Sequence, residues 1–112
     1  MIEVREYLDP AGRSPFGKWL RAINVHAAAK LATALERMSD GNLSNVKPVG
    51  GGVLEYKIDF GPGYRIYFGR DGDRLVILLA GGAKKRQPVD IKRAQSSWEE
   101  YRSRKKEDRL CH

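Results

Sequence analysis

Apolar and polar positions alternate from Ile2 to Leu8, which predicts a first strand, and Asp9-Pro10-Ala11-Gly12 supplies turn chemistry after it. The period then changes. Ser14 is a good N-cap with Pro15 in the first helical position, and Phe16, Trp19, Leu20 and Ile23 recur at helical spacing. Asn24 caps a second helix that carries Leu31, Leu35 and Met38 on one face and stops at Ser39-Asp40-Gly41-Asn42. The two form a helical hairpin.

Beyond it the pattern predicts a loop through Gly50-Gly51-Gly52, a strand from Val53 to Phe60, its hairpin partner from Tyr64 to Gly69, and a turn at Asp71-Gly72-Asp73. Leu75 to Ala80, L-V-I-L-L-A, is apolar on both faces. Such a run is a central strand covered on both sides, or covered on one side with a partner protein over the other. Gly81-Gly82 is expected to break this strand, and Lys84-Lys85-Arg86 follows. Pro88 opens a last helix with Ile91, Ala94, Trp98 and Tyr101 at helical spacing. The expectation is an α+β domain: an N-terminal strand, a helical hairpin, a three-stranded antiparallel meander and a C-terminal helix, with the helices on one face of the sheet. Residues 1–101 read as a single domain. Residues 102–112 read as a basic tail that frays, because no apolar stripe continues there.

Alternation also assigns faces in the central hairpin, whose sequence from residue 57 is K-I-D-F-G-P-G-Y-R-I-Y-F-G. Leu54, Tyr56, Ile58 and Phe60 share the core face with Tyr64, Ile66 and Phe68, which leaves Glu55, Lys57, Asp59, Arg65 and Tyr67 on the other. A three-residue Gly61-Pro62-Gly63 loop would set Asp59 opposite Arg65 and Lys57 opposite Tyr67. Those pairs read either as an ordinary ion pair and cation–π contact or as part of a site for phosphate and an unstacked base, with the basic run after the next strand at its border.

Charge sharpens that choice. The chain carries 21 basic and 14 acidic side chains in 112 residues, a net +7. Residues 84–112 hold ten of the basic and five of the acidic groups, so the excess sits at the C-terminal end, where a polyanion is the first partner to expect. The one cysteine, Cys111, allows no internal disulfide and no cysteine-based zinc site. M-I-E-V-R-E-Y-L is not a signal peptide and no apolar run reaches the length of a membrane span, which points to a cytoplasmic protein with no membrane partner.

The order of elements, Y-K-I-D-F-G-P-G-Y-R-I-Y-F and the L-L-A-G-G-A-K-K after it resemble the RelE/ParE superfamily of bacterial toxins. The likeness runs from Ile2 to about Tyr101, and V-K-P-V-G-G-G-V from Val46 to Val53 is similar to the HigB-like, phage-derived addiction module killer branch. The resemblance implies the toxin of a type II toxin–antitoxin system, a ribosome-dependent mRNA endoribonuclease needing neither metal nor cofactor. Its partners would be the ribosome, mRNA and a cognate helix-turn-helix antitoxin, the last in a possible heterotetramer. A gyrase-inhibiting toxin and a catalytically decayed RNA- or antitoxin-binding module are the alternatives. Lys57 matches a catalytic lysine of such nucleases and Arg65 their phosphate-contacting arginine, while Lys84, Lys85 and Arg86 match a basic segment. The chain departs from the pattern at Asp59, where RelE-type enzymes have a second lysine, at Val89 to Ile91, where no tyrosine stands, and at Ala83, where the branch commonly has an acid.

Metal-free cleavage requires the ribose 2′-OH to attack its own phosphate, with a base, cations for the phosphorane charge and an acid for the leaving oxygen. Neither His26 in the alanine-rich helix nor His112 at the last position is placed for that work. Lys57 is then the candidate base, with Glu55 as substitute; Arg65 holds the phosphate, and Lys84 and Lys85 stabilise charge. Tyr67 stacks a base, and Arg86 and Lys47 complete the RNA-binding set. No residue stands out as the acid.

Overall fold

The computed structural model describes residues 1–111, and side chains through Asp108. In chain order the elements are β1 (Glu3–Glu6), α1 (Pro15–Ala22), α2 (Val25–Ser39), β2 (Val46–Gly50), β3 (Val53–Ile58), β4 (Tyr64–Arg70), β5 (Leu75–Ala83), a 3-10 turn (Lys84–Arg86) and α3 (Gln87–Cys111). The caps sit where local chemistry puts them: Ser14 accepts from the Gly17 N–H at 2.9 Å, and Asn24 from that of Ala27 at 2.8 Å.

The class is α+β, with a five-stranded sheet in the order β1-β5-β4-β3-β2 in place of the expected meander of three plus one. The added strand is β2. Its Pro48 and the glycines after it read as a loop, but a proline is tolerated on an edge strand, and Gly50, Gly51 and Gly52 all take positive φ to turn the chain into β3. β1 runs parallel to β5, and every other pair is antiparallel.

The helices cover both faces of the sheet, not one. Phe16 of α1 and Leu31 and Met38 of α2 pack on Tyr56, Tyr64, Ile66, Phe68, Val76 and Leu78. On the opposite face Ala94 and Trp98 of α3 pack on Val53, Tyr67, Ile77 and Leu79. The double apolarity of Leu75 to Ala80 is thereby satisfied within the chain.

Gly81 and Gly82 do not break β5, which continues through them to Ala83. They thin it instead: a Cβ on Gly81 would run into the Trp19 ring, and one on Gly82 into the Asp90 carboxylate. Nor does the helix end near Tyr101. α3 continues to Cys111, and in place of an apolar stripe it has polar anchors. The Arg104 guanidinium donates to the Leu8 carbonyl at 2.8 Å, Lys105 pairs with Asp71, and the Tyr101 hydroxyl donates to Asp71 at 2.6 Å. His112 lies outside the described residues. Among the described residues no helix is long and apolar enough to cross a membrane.

Candidate functional site

The β3–β4 connection spans residues 59–63, because Ile58 lies opposite Tyr64 rather than Phe60 opposite Tyr64. Lys57 is therefore the register partner of Arg65, and Glu55 that of Tyr67. The expected opposition of Asp59 to Arg65, and of Lys57 to Tyr67, does not occur. Phe60 leaves the strand and is partly buried against the α2 face with the Lys30 ammonium 5.4 Å from its ring centre, so its apolar area is covered without strand pairing. The register moves by two residues, and the assignment of faces is unchanged.

The polar face of the hairpin lies under the N-terminal half of α3, which divides the candidate residues by depth. Lys47, Lys57, Lys84, Lys85 and Arg86 are exposed, whereas Glu55, Arg65 and Tyr67 are at most 5 % exposed. Arg65 turns toward the hairpin tip. Its Nη1 donates to the Tyr64 carbonyl at 3.3 Å and lies 3.2 Å from where a Cβ on Gly63 would stand; the Lys84 Cβ is 3.7 Å from the same point. The Lys84 N–H donates to the Gly63 carbonyl at 2.8 Å, which ties the basic turn to the tip. The Arg65 guanidinium and the stem of the Lys84 side chain thus both border Gly63, with Lys57 on the adjoining strand. Lys57 itself is 3.5 Å from the exposed Asp59 carboxylate.

One step inward, the Glu55 carboxylate accepts a hydrogen bond from Gln87 at 2.7 Å and faces Arg65 Nε at 3.6 Å and Lys47 Nζ at 3.7 Å. At 1 % exposure it supports Arg65 from within, and its use as a substitute base has no open path. Tyr67 is fully buried, so its ring cannot stack on a base. Burial first, and the Glu55 carboxylate second, push its phenol above the ordinary tyrosine range.

Two residues of this layer carried no obvious signal in the sequence: Gln87, which orients Glu55, and Asp90, in the first turn of α3. The available hint to Asp90 was the Gly81-Gly82 pair, since Gly82 provides its seat. Among the described residues, Arg65 Nε, the Tyr67 hydroxyl and Asp90 Oδ2 are buried with no hydrogen bond of ordinary geometry, so three polar atoms with unmet capacity fall in one layer. Burial raises the Asp90 carboxyl above its usual range, and the Arg86 and Arg93 guanidiniums only partly oppose this. A carboxyl whose pKa is raised by folding favours the folded state at low pH and loses that advantage as pH climbs past its unfolded value of about 3.9. Asp90→Asn should accordingly match the wild type near pH 4 and become the more stable of the two as pH rises to 7–8. Urea titrations across that range measure the gap; a gap independent of pH would contradict the assignment.

The family described as Phage derived protein Gp49-like (DUF891) matches residues 18–102, a span that includes every candidate residue from Lys47 to Asp90. An uncharacterized protein of Haemophilus influenzae is similar as well, 42 % identical over 81 residues, which are 71 % of this chain and 82 % of that protein.

Proposed function

The chain belongs to the family of Gp49-like phage-derived proteins, a toxin-like family of addiction modules, and from there we propose that it is the toxin of a type II toxin–antitoxin pair that cuts mRNA on the ribosome. The observation that carries this reading is that the Arg65 guanidinium and the base of the Lys84 side chain both border Gly63, with Lys84 tied to the tip through its backbone N–H and exposed Lys57 opposite Arg65. A phosphodiester seated there would have a fixed guanidinium and an ammonium on its oxygens and an amine within reach of the ribose. In the step we assign, Lys57 takes the 2′-OH proton, the 2′-oxygen bonds to phosphorus and the bond to the 5′-oxygen breaks. The products are a 2′,3′-cyclic phosphate and a 5′-hydroxyl. No group at the hairpin tip stands ready to protonate the leaving oxygen, so solvent or the ribosome supplies that proton. The ribosome also orients the 2′-OH, and free RNA is cut poorly.

The wider reading is a RelE/ParE-like toxin domain over residues 1–101, with the rest of α3 as an extension. Support comes from the order of strand, helical hairpin, antiparallel strands and terminal helix. The partner that fits is a cognate antitoxin of the helix-turn-helix type. Its part is to cover the cationic surface, since α3 already covers the second face of β5.

Controlled expression without the antitoxin tests the proposal. Induction should stop growth and translation and leave truncated transcripts, seen by primer extension on an abundant mRNA, and co-expression of the antitoxin should restore growth. Intact transcripts with double-strand breaks and a DNA-damage response would replace the nuclease by a gyrase poison. Unimpaired growth at confirmed expression would remove the toxin reading altogether.

A further inference from the structure

We propose that the groove between α1 and the first half of α3 binds the phosphodiester backbone of single-stranded RNA and leads the strand to the hairpin tip, an inference that rests on the RNA reading above. The groove encloses about 1370 Å³, more than the roughly 300–1,000 Å³ of a small-molecule pocket, so a polymer segment suits it better than a metabolite. It opens where β1 ends and β5, still paired with β4, becomes the edge of the sheet from Leu79 to Ala83, with α1 over one face of β5 and α3 over the other.

Six cations line it. Arg13, Lys18 and Arg21 come from the turn before α1 and from α1 itself, and Arg86, Lys92 and Arg93 from the opposite wall. All six are exposed, and among the described residues none forms an ion pair. The groove holds two carboxyls against them. Asp9 is occupied by the N–H groups of Ala11 and Arg13, and Asp90 is buried against Gly82. An excess of four positive charges on facing walls calls for a linear polyanion.

Four of the six cations are arginines, whose planar forks bind the oxygens of a phosphate or a carboxylate in pairs. Two features favour RNA over an acidic peptide. The wall includes the half-buried ring of Trp19, which a base can approach. Arg86 belongs to the same short turn as Lys84, so the groove is continuous with the residues placed on the scissile phosphate.

The test is a titration of purified protein with a fully 2′-O-methylated 12-nucleotide RNA, which cannot be cleaved, followed by fluorescence anisotropy at several salt concentrations. Each phosphate contact contributes about 0.7 to the slope of log affinity against log salt for a single strand. Lys18→Ala, Arg21→Ala and Arg93→Ala together should lower that slope by about 2 and weaken binding about tenfold or more at low salt. RNA should also quench the tryptophan emission of the wild type, a signal assigned to Trp19 because Trp98 is buried on the other face. Arg13→Ala with Lys92→Ala should lower the slope as well, and provides the reading if the triple variant does not fold. An unchanged slope in a folded variant overturns the proposal. So does unchanged RNA binding joined to loss of affinity for the antitoxin, which would assign the groove to the protein partner. Because no cleavage is measured, a groove that binds RNA in a protein that never cuts mRNA would leave this inference standing and defeat only the nuclease.

Discussion

Lys57→Ala and Arg65→Lys are each expected to reduce mRNA cleavage on programmed ribosomes about a hundredfold, corresponding to roughly 3 kcal/mol of lost transition-state stabilisation. The two substitutions are chosen for what they leave intact. Lys57 is exposed and its neighbour Asp59 more so, so truncating it should change folding stability by no more than about 0.5 kcal/mol. Arg65 is different, being buried and facing Glu55, and its replacement by alanine would strand a carboxylate in the interior at a cost of about 3–5 kcal/mol. In such a variant lost stability and lost chemistry would be mixed in one activity reading. Lysine keeps a charge toward Glu55 but cannot place a second nitrogen over Gly63, so it separates the supporting role from the catalytic one. Single-turnover cleavage with an mRNA in the A site, read beside the melting temperature, makes the comparison. If both variants melt and cleave like the wild type, the hairpin tip is structural.

The local chemistry of the fold was open to reading in the sequence because it is local. Ser14 and Asn24 cap because the donors they satisfy lie three residues ahead, and the faces of β3 and β4 follow from a period of two. What stayed hidden depends on tertiary partners. The loop between β3 and β4 is two residues longer than its Gly-Pro-Gly center suggests, because Phe60 found cover against the α2 face, a contact no spacing rule contains. β2 was concealed by a proline that only an edge position excuses. The consequence for function lies in α3. Its stripe of Ile91, Ala94, Trp98 and Tyr101 was plain, but not the face it would cover, and so Tyr67 and Glu55 looked available to RNA when they are beneath a helix. Gly69, Gly81 and Gly82 held the missing information. Each lies where a side chain or helix approaches the sheet too closely for a Cβ, and two of the three contacts are with α3.

Trp98→Ala should show how far the site depends on that helix, with an expected loss of about 3–5 kcal/mol in folding stability. The ring is 6 % exposed, stacks on Tyr101 at 5.3 Å with 7° between planes, and sits over Gly69 so closely that a Cβ there would be 2.5 Å from it. For a domain whose total stability is about 5–15 kcal/mol, the loss would lower the melting temperature by roughly 10–20 °C. The anchors beyond it do not replace the lost contacts. Tyr7 donates to Glu100 at 2.5 Å and Tyr101 to Asp71 at 2.6 Å, and burial together with these bonds raises both phenols to about 12, but a hydrogen bond to a carboxylate contributes only about 1.5–3 kcal/mol and each is already present in the wild type. Gln87 and Asp90 reach Glu55 and Gly82 only while α3 is seated, so the same substitution should release the buried polar layer. Urea unfolding followed by far-UV and near-UV circular dichroism distinguishes the outcomes. A single cooperative transition at lower urea makes α3 an integral wall of the site. A melting temperature near that of the wild type, with the near-UV signal lost, would instead make the helix a detachable cover over Arg65, Glu55 and Tyr67.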